Sequence, residues 1–180
     1  WMGAHRIVLH PGNVGKFSRD KAMLLALPIL AEAIRQADEA GFDDITLCPE
    51  VLGKISNLGS LDEVLTMCAL DERMIPCVDF GHVHARSLGG LKTLEDYEAV
   101  FDSIENALGL ERTRKLHIHF SRVEYTQAGE RKHHTLQDMQ YGPEFAHLAR
   151  VLLQRHIEPV IICESRDRMA EDALVLKQIY

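Results

Sequence analysis

The stretch Ile75-Pro-Cys-Val-Asp-Phe-Gly-His82 decides the fold, because in it a short apolar run ends at Asp79 and His82 follows on the next turn. Four other apolar runs end in the same way, on a histidine or a carboxylate. The five runs and their polar ends are residues 6–9 with His10, 45–49 with Glu50, 75–78 with Asp79 and His82, 115–118 with His117 and His119, and 159–163 with Glu164. If the runs are parallel strands, their polar ends meet at one rim, where imidazoles and carboxylates can bind a divalent metal.

Each apolar run is followed by a segment with helical periodicity. Two of these segments begin with Ser-Leu-Asp-Glu at Ser60 and Thr-Leu-Glu-Asp at Thr93, which are typical of a capping box. The predicted helices are residues 18–40, 60–70, 93–108, 142–156 and 167–180. Five strand–helix units in succession indicate a parallel sheet with helices outside it.

Two architectures fit this order, a doubly wound open sheet and a (β/α)₈ barrel. No glycine-rich dinucleotide motif follows any strand, and ligands from every strand suit a barrel mouth better than a single switch point. Barrels typically need about 250 residues, whereas this chain has 180 and starts with Trp1 before Met2. The predicted fold class is therefore α/β, a TIM barrel of which the chain supplies roughly the last five βα units. We expect residues 1–180 to be the carboxyl-terminal part of one such domain.

Composition bounds the setting of the protein. The formal net charge of −7 disfavours nucleic acid as a partner, but basic residues follow several strands. Arg86, Arg122 and Lys132 are either DNA-backbone contacts or solvated loop charge. The four cysteines are scattered without a CxxC pair, and neither a signal segment nor a run long enough to cross a bilayer is visible. We therefore expect a reduced, cytoplasmic protein that does not enter a membrane.

Histidines and carboxylates carry the predicted chemistry. His117 and His119 are two apart on a strand and so face the same side. We expect one of them to bind metal and the other to orient it or the substrate, although a pair of hydrogen-bonded core histidines fits equally. His84 is a further candidate for orienting a metal ligand or the substrate. His133 lies in a long polar loop. Since no GxSxG motif and no P-loop are present, metal-assisted hydrolysis is the favoured mechanism.

Several segments match a known family in order along nearly the whole chain. They are His10-Pro-Gly, Pro49-Glu-Val-Leu-Gly-Lys-Ile-Ser-Asn-Leu-Gly59, Cys77-Val-Asp-Phe-Gly-His82, Leu116-His-Ile-His119 and Cys163-Glu164. With these motifs the chain resembles the endonuclease IV family of abasic-site nucleases, which have a xylose isomerase-like TIM barrel, and within it an archaeal-type branch. The resemblance implies a phosphodiesterase that incises DNA at abasic sites through a metal-bound hydroxide, with two or three zinc ions. It places metal ligands at His10, Glu50, Asp79, His82, His117, His133 and Glu164. Glu50 would bridge two metals and would be catalytic together with Glu164, and the strand before His10 would be the fourth of eight.

The sequence departs from the family pattern in the long loop. Arg131 stands where the nucleases have an aspartate two residues before the ligand histidine, so either Glu130 replaces it with a shifted backbone or the third metal is lost. The alternative function is a sugar isomerase or epimerase on the same barrel. It would use one Mn²⁺ or Mg²⁺ ion held by Glu50, Asp79, His117 and Glu164, with a small sugar as its substrate. A third interpretation is a binding protein that keeps the barrel without its chemistry.

Overall fold

A computed structural model describes residues 3–180. The strands are β1 (Arg6–Leu9), β2 (Thr46–Pro49), β3 (Cys77–Asp79), β4 (His117–Phe120), β5 (Arg122–Thr126), β6 (Gly129–His134) and β7 (Val160–Cys163). The helices are α1 (Arg19–Glu39), α2 (Leu61–Cys68), α3 (Phe80–Arg86), α4 (Leu94–Leu108), α5 (Leu110–Thr113), α6 (Phe145–Arg155) and α7 (Met169–Ile179). None of these helices is long and apolar enough to span a bilayer.

Five of the strands run parallel, in the spatial order β1, β2, β3, β4 and β7. β1 pairs with β2, and β3 pairs with β4, which pairs with β7. A parallel bridge between Glu50 and Cys77 links the two groups. β1, β2, β3 and β7 are each followed by a helix, whereas β4 is followed by the strands β5 and β6 before α6 begins. A twisted run of parallel strands with outer helices is an arc of a barrel wall. All five strands therefore present their carboxyl ends at the same rim.

Helices α1, α2 and α4 begin at the caps that the sequence indicated, at Ser18, Ser60 and Thr93. Ser18 caps α1, and Ser60 forms a reciprocal capping box with Glu63 at the start of α2. The main core lies between β3, β4 and β7 on one side and α4 and α6 on the other. In it the ring of Phe80 stacks on Tyr97, with centroids 5.6 Å apart. This apolar layer fixes the strand ends that carry the polar residues.

Glu63 also joins α1 to α2. Its carboxylate accepts hydrogen bonds from Arg19 at 2.8 Å through each oxygen and from the N–H groups of Gly59 and Ser60. Burial alone would raise the pKa of Glu63, but the Arg19 guanidinium and these N–H groups outweigh burial and lower it to about 2 from an ordinary 4.5. The ionised carboxylate is therefore part of the folded state.

Replacing Glu63 with Gln is expected to lower the free energy of unfolding at neutral pH by about 2 kcal/mol. Because the folded-state pKa is depressed, this stabilisation is complete above the ordinary pKa and disappears as the pH falls towards the folded value. Urea denaturation of wild type and variant should thus differ at neutral pH and converge in acid, while Glu72→Gln at an exposed site changes stability little. An equal difference at both pH values would contradict the charge-based explanation.

The structure differs from the sequence prediction in four segments. The residues after Asp79 form helix α3 rather than a turn, and α5 was not predicted. The predicted long loop carrying His133 is a β-hairpin, in which β5 pairs antiparallel with β6. β4 begins two residues later than the apolar run at 115–118. The last difference changes which histidine reaches the rim.

Candidate metal centre

The carboxyl ends of four parallel strands bring together Glu50, Asp79, His119 and Glu164. One ligating atom from each of these residues lies within 4.8 Å of the others. Glu50 follows β2, Asp79 ends β3, His119 lies near the end of β4, and Glu164 follows β7. Their convergence is a direct result of parallel pairing in register, which aligns Asp79 with His119.

His119, rather than His117, contacts the carboxylates. Its Nδ1 lies 3.0 Å from Glu50 Oε1 and 3.2 Å from Glu164 Oε1. His117 is one side-chain level deeper, at the first position of β4, where it lies beside Cys77. The resemblance places the ligand at His117, whereas in the structure His119 is the histidine that contacts the carboxylates, because β4 is shifted towards its carboxyl end.

In the part of the chain that the structure describes, no lysine or arginine forms an ion pair with the three carboxylates. Within residues 3–180 their ion pairs are all with histidines. The side chain of Glu50 is 2% exposed, and the buried Oδ2 of Asp79 has no hydrogen-bond partner. Burial and the charge of Asp79 raise the pKa of Glu164. Burying several carboxylates at this separation is unfavourable without a cation, so the donor set fits a divalent metal.

The two inward-facing histidines of β4 have opposite electrostatic environments. Burial acts to lower the pKa of His119, but its hydrogen bond with Glu50 and the charge of Glu164 outweigh burial and raise it. Burial, His119 and Arg6 lower the pKa of His117 to about 4. His119 therefore belongs electrostatically to the carboxylate group, whereas His117 lies outside it.

A second group of possible ligands shares Asp79 with the first and adds His82 and His133. His82 Nδ1 lies 2.9 Å from the carbonyl oxygen of Val51. Because a carbonyl only accepts, Nδ1 carries a proton, so Nε2 is the nitrogen of this ring that can bind a metal. That Nε2 lies 3.2 Å from His133 Nε2, and Ser121 Oγ lies 2.8 Å from His133 Nδ1. In each ring one nitrogen faces the other histidine, and the opposite nitrogen is held by a hydrogen bond. This arrangement is typical of histidines that bind a metal. Ser121 was not singled out from the sequence, because a serine after a strand is common.

A β-bulge in the hairpin explains how the sequence accommodates Arg131. Glu124 pairs with Lys132 and Tyr125 pairs with Glu130, so Arg131 is the extra residue. Its guanidinium binds Glu124 at 2.6 Å. The bulge turns Glu130 to the same side as His133, with Glu130 Oε1 4.0 Å from His133 Nε2. Glu130 therefore lies next to His133 on the side of the hairpin that faces the site.

The hairpin is held close to the site by Gly53. A Cβ atom at this position would lie 2.4 Å from Glu130 Cβ and 2.9 Å from the His82 ring. His10 approaches the cluster from β1, with its Nε2 3.0 Å from Glu50 Oε2. The structure thus brings together seven residues of the predicted set, namely His10, Glu50, Asp79, His82, His119, His133 and Glu164.

The predicted supporting residues divide differently. Arg122 is 4% exposed and its guanidinium binds both carboxylate oxygens of Glu144, at 2.8 and 2.9 Å. Arg86 donates to the carbonyl oxygens of Leu52, Lys54 and Asn57. Both arginines hold loops in place through these contacts.

His84 and Lys132, the other two supporting residues, have different environments. The buried His84 ring packs edge-on against Tyr125 and takes no part in the described ion pairs of the cluster. Lys132 is exposed and lines a groove of about 500 Å³ beside Glu164. The other residues of this groove include His133 and Arg166. A substrate can therefore approach the site between the hairpin and the end of β7.

The fold and the site define a parallel α/β barrel wall with a carboxylate–imidazole centre at its carboxyl rim. The chain belongs to the xylose isomerase-like TIM barrel family, whose model matches residues 1–179. This confirms the family-level resemblance and the fold class. The chain is 29% identical over 174 residues to the uncharacterized protein MJ0133 of Methanocaldococcus jannaschii, covering 97% of this chain and 62% of that protein. It is 24% identical over 128 residues to the probable endonuclease 4 of Oceanobacillus iheyensis, covering 68% of this chain and 40% of that protein.

Two solved structures share the fold. A D-tagatose 3-epimerase-like protein superposes with a TM-score of 0.68 at 17% identity, covering 97% of this chain and 60% of that chain. Endonuclease IV from Thermus thermophilus superposes with a TM-score of 0.59 at 20% identity, covering 98% of this chain and 62% of that chain. The chain therefore spans about three fifths of the length of MJ0133 and of both solved structures.

Proposed function

We propose that the protein is a metal-dependent phosphodiesterase that incises DNA at abasic sites. The observation that carries the proposal is the arrangement of acids, in which Glu50, Asp79 and Glu164 share a site with histidines alone as counter-charges among the described residues. Asp79 belongs both to this group and to the pair His82 and His133. A carboxylate shared between two ligand groups allows more than one ion to bind, which suits phosphate ester hydrolysis.

The metals proposed for the site are two or three Zn²⁺ ions. When bound, they would supply Lewis acidity to the phosphate and lower the pKa of water. Glu50, between His10 and His119, is proposed as the bridging carboxylate. Glu164 has the most exposed side chain of the three acids, at 34%, and borders the groove, so it is the acid best placed to contact substrate. Glu130 would complete the ligand set of the third metal ion, beside His82 and His133.

Charge in the groove supports an anionic substrate. Lys132 and Arg166 flank the carboxylate cluster on the open side. Cations there would attract a phosphate backbone and release its counterions, which makes binding weaken steeply with salt. The similarity to a probable endonuclease 4 agrees with this choice of substrate.

A sugar isomerase or epimerase is the second candidate. The observation that favours it is that Glu50, Asp79, His119 and Glu164 form a complete four-ligand set for a single ion. Oxygen-rich sets of this kind suit Mn²⁺ or Mg²⁺. Arg131 points outward and supplies no acid to the site. The acid nearest His133 on the hairpin is therefore Glu130, whose Oε1 lies 4.0 Å from His133 Nε2. The epimerase-like structural neighbour is consistent with this candidate.

Metal content measured by plasma mass spectrometry, on protein purified without added metal or chelator, is the first test. We expect two or three zinc ions per chain and incision of an abasic-site duplex. Glu164→Gln should lower the incision rate by about a thousandfold, whereas Glu158→Gln, an exposed acid before the same strand, should leave it unchanged. A single Mn²⁺ or Mg²⁺ with turnover of a small ketose would favour the isomerase instead. Absence of bound divalent metal would overturn both candidates.

A further inference from the structure

A buried nitrogen–sulfur group lies beneath the carboxylate cluster. Cys77 and His117 are register partners on β3 and β4, so their side chains lie side by side. One ligand atom from each of Cys77, His117 and His119 lies within 4.8 Å of the others. All three residues are buried. The proposed function uses neither Cys77 nor His117.

His117 has an unexplained polar atom. Its Nδ1 is buried and has no hydrogen-bond partner, and the residue is 7% exposed. A buried imidazole nitrogen without a partner is unfavourable unless it binds water or an ion. The ring stands edge-on to His119, with centroids 5.2 Å apart, in the same small space as the Cys77 thiol. An ion bound among these groups would give the His117 imidazole a partner.

The donor chemistry differs from that of the site above. Thiolate and imidazole prefer soft or borderline ions such as Zn²⁺, Cd²⁺ and Cu⁺, whereas carboxylate oxygens suit Mg²⁺ and Mn²⁺. Ligand atoms bound to one zinc at about 2.0–2.3 Å stand roughly 3.3–3.9 Å apart. The ligand atoms of Cys77, His117 and His119, which lie within 4.8 Å of one another, would therefore reach a common ion after small side-chain rotations.

We propose that Cys77, His117 and His119 form a second metal site, specific for thiophilic ions, one side-chain level below the carboxylate cluster. His119 is common to both sites, so a thiophilic ion would compete for it with the metal of the carboxylate cluster. The proposal does not depend on which reaction the protein catalyses.

The charges around the group are compatible with this role. The carboxylates one side-chain level above attract a cation. Burial raises the pKa of the Cys77 thiol. A metal that binds there takes the place of the thiol proton, which is released to solvent.

Titration of the chelator-treated protein with Cd²⁺ tests the proposal, because a cadmium–thiolate bond gives a charge-transfer band in the ultraviolet. We expect the wild type to develop the band and Cys77→Ala to lose it. Cys48→Ala is the matched control, since Cys48 is also fully buried on the neighbouring strand but lies outside the group. It should keep the band. His117→Gln should raise the apparent Kd by about tenfold or more.

Two further results separate this site from the proposed function. Glu164→Gln should keep the cadmium band even where it abolishes incision, because Glu164 is not a member of the group. Absence of the band in the wild type, or its survival in Cys77→Ala, would overturn the proposal. A band unaffected by His117→Gln would overturn it too, because the thiol would then be binding metal without its histidine.

Discussion

Replacing Asp79 with Asn is expected to weaken divalent-metal binding by about a hundredfold or more without destabilising the metal-free protein. The two oxygens of Asp79 have different tasks. Oδ1 accepts the N–H of His82 at 2.8 Å and so caps α3, a task that the Asn side chain performs equally well. Oδ2 is the buried oxygen without a partner, and Asp79 is a member of the ligand cluster.

The metal-free variant should even be more stable than the wild type, by about 1 kcal/mol. Asp79 lies in the same cluster as Glu50 and Glu164, and its charge helps to raise the pKa of Glu164. Removing one of three crowded negative charges relieves this repulsion. Metal sites are commonly strained in this way, because the groups that bind the ion repel one another in its absence.

Calorimetric metal titration and urea denaturation of the chelated protein measure the two effects separately. Asp79→Ala should also lose metal, but it should be less stable than the Asn variant by about 1 kcal/mol, since it lacks the helix cap. Asp62→Asn, on an exposed position of α2, should bind metal as the wild type does. If Asn and Ala were equally destabilising, the cap would be unimportant; unchanged metal affinity in both would remove Asp79 from the site.

Much of the barrel wall could be predicted because its strands are apolar runs with polar ends. The runs at 6–9 and 159–163 became β1 and β7 with small changes at their ends. Parallel pairing then gathers the polar ends whatever the exact boundaries are. This is why the sequence alone was enough to predict that Glu50, Asp79 and Glu164 lie together.

The histidines of β4 could not be assigned in the same way. His117 and His119 point to the same side, so only the position of the strand along the chain decides which of them meets the carboxylates. The apolar pattern places the strand at 115–118, whereas pairing with β3 and β7 places it at His117–Phe120. Histidine counts neither as apolar nor as strongly polar in such patterns. The sequence therefore did not indicate that the strand is shifted by two residues.

The hairpin was missed for a related reason. Gly129–His134 contains no apolar side chain to alternate with its polar ones, so nothing in the sequence marks β6 as a strand. The bulge at Arg131 is set by pairing with β5 and by the close contact of Glu130 with Gly53.

Charge also misled the interpretation of Arg122, because a basic residue after a strand is expected to be exposed until its partners are known.

Replacing Arg122 with Ala is expected to destabilise the protein by about 3 kcal/mol. The buried guanidinium binds Glu144 through both oxygens and donates to the carbonyl oxygens of Leu136, at 3.2 Å, and Tyr141. It thereby fixes the segment between the hairpin and α6. The variant leaves these acceptors without their donor, and Lys cannot replace the planar fork of Arg, so Arg122→Lys should recover little of the loss.

The matched comparison is Lys132→Ala, which removes an exposed cation from the same hairpin. It should change the free energy of unfolding by less than about 0.5 kcal/mol but weaken binding to an abasic-site duplex and reduce its salt dependence. Arg122→Ala should show the opposite pattern at temperatures where it stays folded, with lowered stability in urea and DNA affinity within a factor of about two of wild type. If Arg122→Ala instead kept full stability and lost DNA binding, its guanidinium would have to leave Glu144 to reach the phosphates, and the hairpin would be a moving part of the site rather than its fixed wall.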